Sequence, residues 1–359
     1  MIKKSKFLIG LMACIALQSV KAGNEDRTGE AGGQQLLINP WARTSALGGA
    51  NTAYIRGVEA LFTNVAGLAF TRKTEILFNH TRYLVSSGIN INSFALGQRL
   101  SETSTLGLSV VSFDFGDIPI TTVQLPEGGS GFFRPSYMNI NVAYAKEFSN
   151  SIYGGINVKM LSEQISNVRS QGFAFDAGIR YVTGEYDRIK FGISLKNIGP
   201  PMKFSGDGLA FRNTNINTGV SSTEEHRSAQ FELPSLLNIG ASYDFFINPT
   251  IDSLNDEISS DHKIIASVNF TSNSFTRDQY RIGLEYSLKN MFYLRTGYVF
   301  ERKAQNSPEN IMSAHWGPSF GLGFYRPINK NGSTIGIDYS YMFSNPFMGT
   351  HTIGVRIDL

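Results

Sequence analysis

From residue 74 to the last residue, apolar and polar side chains alternate with a period of two, segment after segment. Met138, Ile140, Val142 and Tyr144 interleave with Asn139, Asn141, Ala143 and Ala145. Phe173, Phe175, Ala177, Ile179 and Tyr181 interleave with Ala174, Asp176, Gly178 and Arg180, and Ile353, Val355 and Ile357 with Gly354, Arg356 and Asp358. Neighbouring side chains of a strand point to opposite faces, so this period predicts strands with one apolar face. Fourteen are predicted, over 74–85, 89–100, 105–115, 137–148, 152–163, 172–182, 189–198, 235–246, 263–272, 279–288, 291–301, 319–326, 334–343 and 350–359. Most approach the roughly 9–11 residues that a tilted strand needs to cross a hydrocarbon core.

Alternation alone fits a soluble sandwich as well as a membrane barrel. Two features favour the barrel. The polar faces carry charge in mid-strand at Lys159, Arg180, Arg281, Glu285, Arg295, Asp338 and Arg356, while the other faces are almost unbroken Ile, Leu, Val, Phe and Tyr. A wet or polar lumen tolerates the first and lipid requires the second. The connections also differ by side: 101–104, 149–151 and 289–290 are short, whereas 116–136, 199–234 and 302–318 are long. That is the habit of outer-membrane barrels, with short turns on the periplasmic side. The expectation is an all-β, 14-stranded antiparallel transmembrane β-barrel in the cell outer membrane, with both termini periplasmic. The connection 247–262 breaks the rule and reads as an insertion.

The segment 39–70 does not alternate. Ala42, Ala46, Ala50 and Ala53 recur every three or four residues around Gly48-Gly49, a spacing compatible with helical turns. A compact, small-residue segment ahead of a run of strands suggests a plug packed inside the closed sheet. The chain thus divides into 1–22, 23–72 (a glycine-rich lead-in and the plug) and 73–359, the barrel. The first part has Lys3, Lys4 and Lys6, an apolar run from Phe7 to Leu17, and Val20-Lys21-Ala22, which reads as a secretory signal peptide.

Composition narrows the function. The formal charge of +3 owes four lysines to residues 1–22, which hold no acid, so the remainder carries −1 and offers no basic surface for nucleic acid. The single cysteine, Cys14, also lies there, leaving no thiol chemistry to the rest. Gly317-Pro318-Ser319-Phe320-Gly321 matches a serine-hydrolase pattern but leads into a strand where an elbow needs a helix. His80, His226, His262, His315 and His351 have no metal-ligand spacing, and Asp252, Asp256, Glu257 and Asp261 do not follow a calcium-loop pattern. No enzyme, cofactor or metal is expected. Phe132 and Phe133 follow Gly128-Gly129-Ser130-Gly131 in a long loop and read either as a partner contact or as girdle residues. Arg277, Arg295 and Arg302 read as charge near the outer rim.

The stretch Gly48-Gly49-Ala50-Asn51-Thr52-Ala53, then Glu59-Ala60, then Asn64-Val65-Ala66-Gly67-Leu68-Ala69 resembles the plug motif of FadL-like outer-membrane proteins. Val65 stands where that motif has proline, and a single acid precedes it. The resemblance implies a fourteen-stranded barrel and makes Gly48, Gly49, Ala50, Glu59, Asn64 and Gly67 the plug residues. The lead Trp41-Ala42-Arg43-Thr44-Ser45-Ala46-Leu47-Gly48-Gly49-Ala50 is most similar to the PorV/PorQ branch associated with type IX secretion. That branch implies a non-catalytic accessory barrel, bathed in outer-membrane lipid, which holds a secretion translocon barrel or cargo C-terminal domains by its outer loops. The other reading is a FadL-like transporter of hydrophobic molecules such as long-chain fatty acids, which calls for an apolar pocket above the plug.

Overall fold

A strand in hydrocarbon cannot leave its edge N–H and C=O groups open, so alternating strands bounded by lipid must close into a ring. The computed structural model describes residues 23–214, 219–252, 257–301, 313–329, 332–344 and 347–359, and shows that ring. Its strands are β1 Thr74–Tyr83, β2 Ile89–Arg99, β3 Ser104–Asp114, β4 Ser136–Ser149, β5 Ile152–Ile165, β6 Val168–Thr183, β7 Ile189–Ile198, β8 Leu236–Ile247, β9 His262–Asn273, β10 Gln279–Leu288, β11 Phe292–Glu301, β12 Gly317–Pro327, β13 Thr334–Met342 and β14 Thr350–Asp358. Each pairs antiparallel with its sequence neighbours, and β14 closes on β1 from Glu75↔Asp358 to Arg82↔His351.

The faces fall as the alternation predicts. Met138, Val142, Phe173, Phe175, Ile179, Ile282, Leu284, Ile353 and Val355 are exposed outward, while Asn139, Asn141, Lys159, Asp176, Arg180, Glu285, Asp338 and Arg356 are buried inside. Arg277 and Arg295, expected as charge near the outer rim, are buried as well, and Arg295 pairs inside with Glu285 and Asp338. A period of two puts Arg295 on the same face as Gly297 and Val299, and that face is the lumen. Arg302 and Asp256 lie outside the described residues.

Two departures have plain causes. β6 begins at Val168, well before the expected residue 172, because Ser166 at φ 49 makes a tight turn that carries the ladder to Ile165↔Val168. The sequence there is polar on both faces, so its alternation is invisible. The connection after β8 folds into a ribbon, Thr250–Asp252 against Glu257–Ser259, which accommodates its length at the short-turn end.

Both termini are expected at one end of the barrel, whereas the two ends of the described chain lie at opposite ends. Leu359 does lie at the short-turn end, donating to Thr74 O at 2.8 Å. Gly23, the first described residue, packs against Thr276 and Asp278 in the β9–β10 connection, and Asn24 N donates to Asn273 O. The lead-in stays at that long-loop end, with a parallel bridge from Ala31 to Glu232 in the β7–β8 connection, before the chain turns down into the plug.

The segment 39–72 fills the lumen toward the short-turn end. Its alanine spacing yields only one α-helical turn, α1 Ala42–Ala46; Gly48 (φ 59) and Gly49 (φ 76) then reverse the chain, and two 3-10 turns follow at Val58–Leu61 and Val65–Phe70. Trp41, Ile55, Val58, Leu61 and Leu68 are buried and pack with wall residues Leu77, Ala95 and Ala143. Glycines on the inner wall let the plug come close to the wall backbone: a Cβ at Gly297 would strike the Leu47 backbone, one at Gly321 the Ala46 side chain, and one at Gly178 the Asn64 side chain.

Candidate functional site

The floor of the lumen is held by ions. Arg43 on α1 donates Nε and Nη2 to the two carboxylate oxygens of Glu285 on β10, each at 3.2 Å. Glu285 also accepts from Arg295 Nε at 2.6 Å, and Arg295 pairs with Asp338, whose other oxygen takes the Tyr325 hydroxyl. A second group joins plug to seam. Arg356 on β14 pairs with Glu59 of the plug and, at 2.9 Å, with Glu75 on β1. Thr44 Oγ1 also donates to Glu59, at 3.1 Å. Burial pushes the Glu59 carboxyl up, against the opposing pull of Arg356 and Arg43. Burial likewise works against the charge of Arg43, but Glu285 outweighs it and holds this guanidinium above its ordinary value.

The residues singled out in the plug motif take distinct places. Asn64 is the most connected: its Oδ1 accepts from Ala66 N, capping the 3-10 turn, and its Nδ2 donates to Thr52 O and to Ile179 O on the wall. Gly67 O accepts from Gly57 N, tying the two 3-10 turns together. Gly49 lies against the Arg281 guanidinium, and Ala50 against Gly283. Ser319, of the hydrolase-like pattern, sits in β12 and donates its hydroxyl to Ala46 O at 3.0 Å, a bond between wall and plug. Among the described residues no group of three His, Cys, Asp or Glu is placed to hold a metal ion.

Above this floor, toward the long loops, lies a cavity of about 340 Å³. Its floor includes Thr44, Gly48, Gly49, Thr52 and Phe62, the lead-in contributes Leu37 and Ile38, and the walls carry Leu236, Val299 and Met342. Two cations enter it. Lys196 on β7 is 4 % exposed, with its ammonium 3.8 Å from the centroid of the Phe62 ring. Arg281 on β10 donates to Gln279 at 2.6 Å, while its Nε is buried without an acceptor. Neither is paired with a carboxylate among the described residues. Glu301 is the one acid among the lining residues. His315 also borders the space; burial and the nearby Arg281 hold its imidazole down to about 4, so it is neutral at ordinary pH.

Sequence reasoning grouped Arg281 with the lumenal charges and passed over Lys196. The signal was there: Lys196-Asn197, between Leu195 and Ile198, is a pair of polar residues where the alternation allows one. Phe132 and Phe133 do not line this cavity. They pair with Pro119 and Ile118 as a ribbon in the β3–β4 loop, with Phe132 68 % exposed and Val123 near the tip 94 % exposed.

No protein-family model matches the chain, and no curated protein matches it in sequence. Solved structures do match the fold. The CymD monoaromatic hydrocarbon channel superposes with a TM-score of 0.55 at 13 % identity, over 89 % of this chain and 97 % of that one. The Pseudomonas putida toluene transporter TodX gives 0.52 at 12 % identity, over 89 % and 97 %. A Pseudomonas aeruginosa FadL homologue gives 0.50 at 12 % identity, over 88 % and 96 %. The chain therefore shares its fold with these three structures.

Proposed function

We propose that this chain is a non-enzymatic outer-membrane barrel of the FadL kind that admits a hydrophobic small molecule with a negatively charged head, such as a long-chain fatty acid, into its lumen. The observation that carries the reading is the cavity between the plug and the long loops. It falls within the usual size of small-molecule sites and combines apolar walls with a few convergent polar groups. Lys196 is a buried charge and Arg281 a half-buried one with a buried Nε, and neither has a carboxylate partner among the described residues, a costly arrangement unless an anion completes it. Two of the structures that share the fold are named as a monoaromatic hydrocarbon channel and a toluene transporter. The test is binding of dodecanoate and 1-dodecanol to the purified protein in nanodiscs; absence of binding by both removes this reading.

A second reading keeps the secretion role, with the translocon barrel or cargo C-terminal domains as partner, and rests on the outer ribbon. Val123, Leu125 and Phe132 are exposed apolar side chains grouped on one projecting loop, an arrangement suited to a protein contact. Affinity purification from native outer membranes separates the two. Recovery of a very large barrel or of secreted cargo, lost when Phe132 and Phe133 become serine, favours the secretion role.

A further inference from the structure

Lys196 occurs at a fault in the wall. Along β7, Leu195 and Ile198 face outward, while Lys196 and Asn197 both face inward. The pairing with β6 jumps from Phe175↔Ile198 to Ala177↔Leu195, so Asp176 alone stands opposite two residues. This is a β-bulge, and bulges re-aim side chains. Asn197 adopts φ 60, a left-handed conformation that asparagine tolerates better than most residues.

The bulge is fastened on every side. Asn197 N donates to Asp176 Oδ1 at 2.8 Å, and Asn197 Nδ2 donates to Pro234 O at 2.9 Å. Lys159 on β5 donates to Asn197 Oδ1 at 2.6 Å and pairs with Asp176 Oδ2 at 2.7 Å, an oxygen that also accepts from Asn157 at 3.2 Å. Asp176 is the wall carboxylate that attracts Lys196 electrostatically, yet its bonds are taken by Lys159, Asn157 and the Asn197 backbone. Lys196 turns the other way, onto Phe62 and into the cavity.

We infer that the Lys159–Asp176–Asn197 cluster is a specificity-determining device: it aims Lys196 into the cavity and occupies the carboxylate that would otherwise neutralise it, so the cavity selects ligands by a negative head. The inference rests on the proposed ligand-binding role. None of the three residues lines the cavity, so each acts through Lys196 as a positioning residue.

The test compares affinities for dodecanoate and 1-dodecanol at neutral pH, by calorimetry in nanodiscs. The wild-type protein prefers the acid by about tenfold or more, as one charge-assisted bond provides. Lys159→Met frees Asp176 to turn to Lys196, so the preference falls toward unity while dodecanol affinity stays the same. Asp176→Asn leaves two lysines without a counter-charge, so the preference rises. Asn197→Gly keeps the left-handed turn but drops the Lys159 tether, and the preference falls part of the way. Opposite movement by Lys159→Met and Asp176→Asn is the signature, because a merely structural loss weakens both ligands together. Movement in the same direction, or none, overturns the inference. Should Lys159→Met not assemble, the near-isosteric Asp176→Asn must still raise the ratio. Equal wild-type affinity for acid and alcohol also overturns it, while leaving a hydrophobic ligand in place; no binding of either defeats the underlying reading instead.

Discussion

Arg43 and Glu285 meet as a two-toothed fork across the boundary between plug and wall, both contacts at 3.2 Å. Glu285 is also the partner of Arg295, so one carboxylate holds two guanidinium groups in a buried array. Glu285→Ala leaves Arg43 without its partner. Breaking such a pair from one side costs about 3–5 kcal/mol. The urea midpoint of the protein in micelles should fall accordingly; an unchanged midpoint would show that the fork does not hold the plug.

Gly297 presents bare backbone to Leu47, and a side chain there has no space to enter. Gly297→Val forces the plug off the wall at a cost of about 1–3 kcal/mol from overpacking. Planar-bilayer recordings should show conductance steps in the variant that the wild type lacks. Identical traces would mean that the wall yields and the plug does not.

Lys196→Met removes the ammonium above Phe62 and keeps the bulk of the side chain. Dodecanoate affinity should drop by about tenfold or more, the worth of one charge-assisted hydrogen bond, and dodecanol affinity should hold. Equal loss for both ligands would assign Lys196 to packing alone.

His315 is held at about 4 in the folded protein, against an ordinary value of 6.5. Between those values the unfolded chain takes up a proton that the folded chain refuses, so this group costs stability as pH falls from 6.5 toward 4. His315→Gln should therefore lose less stability than wild type on acidification and match its pH response above that window. Denaturation midpoints at both ends of the window check this; parallel curves throughout would exclude the histidine.

The strands were legible because lipid outside and a polar lumen inside force every residue of the wall to declare its side. Tyr280, Ile282 and Leu284 against Arg281, Gly283 and Glu285 admit one register. The plug was legible as a segment through its alanines and glycines, but its form was not. Alanine spacing favours helix, while the wall at Gly297 and Gly321 leaves room for one turn of it before the chain must reverse. The cavity was hidden for a different reason. It is enclosed by the lead-in, four or more strands and a loop, distant in sequence, and only the doubled polar residue at Lys196-Asn197 marked it locally. The direction of the lead-in was equally hidden, since a short polar segment bears no mark of which end of a lumen it will reach.

Arg356 belongs to the last strand, Glu75 to the first and Glu59 to the plug, and the three meet where β14 joins β1. The arginine reaches its place only when the ring is shut. A ring that shut over an empty lumen would leave Arg43 missing from Glu285 and Glu59 missing from Arg356. One arginine is thus shared by seam and plug, so the closed ring and the seated plug stabilise each other through it.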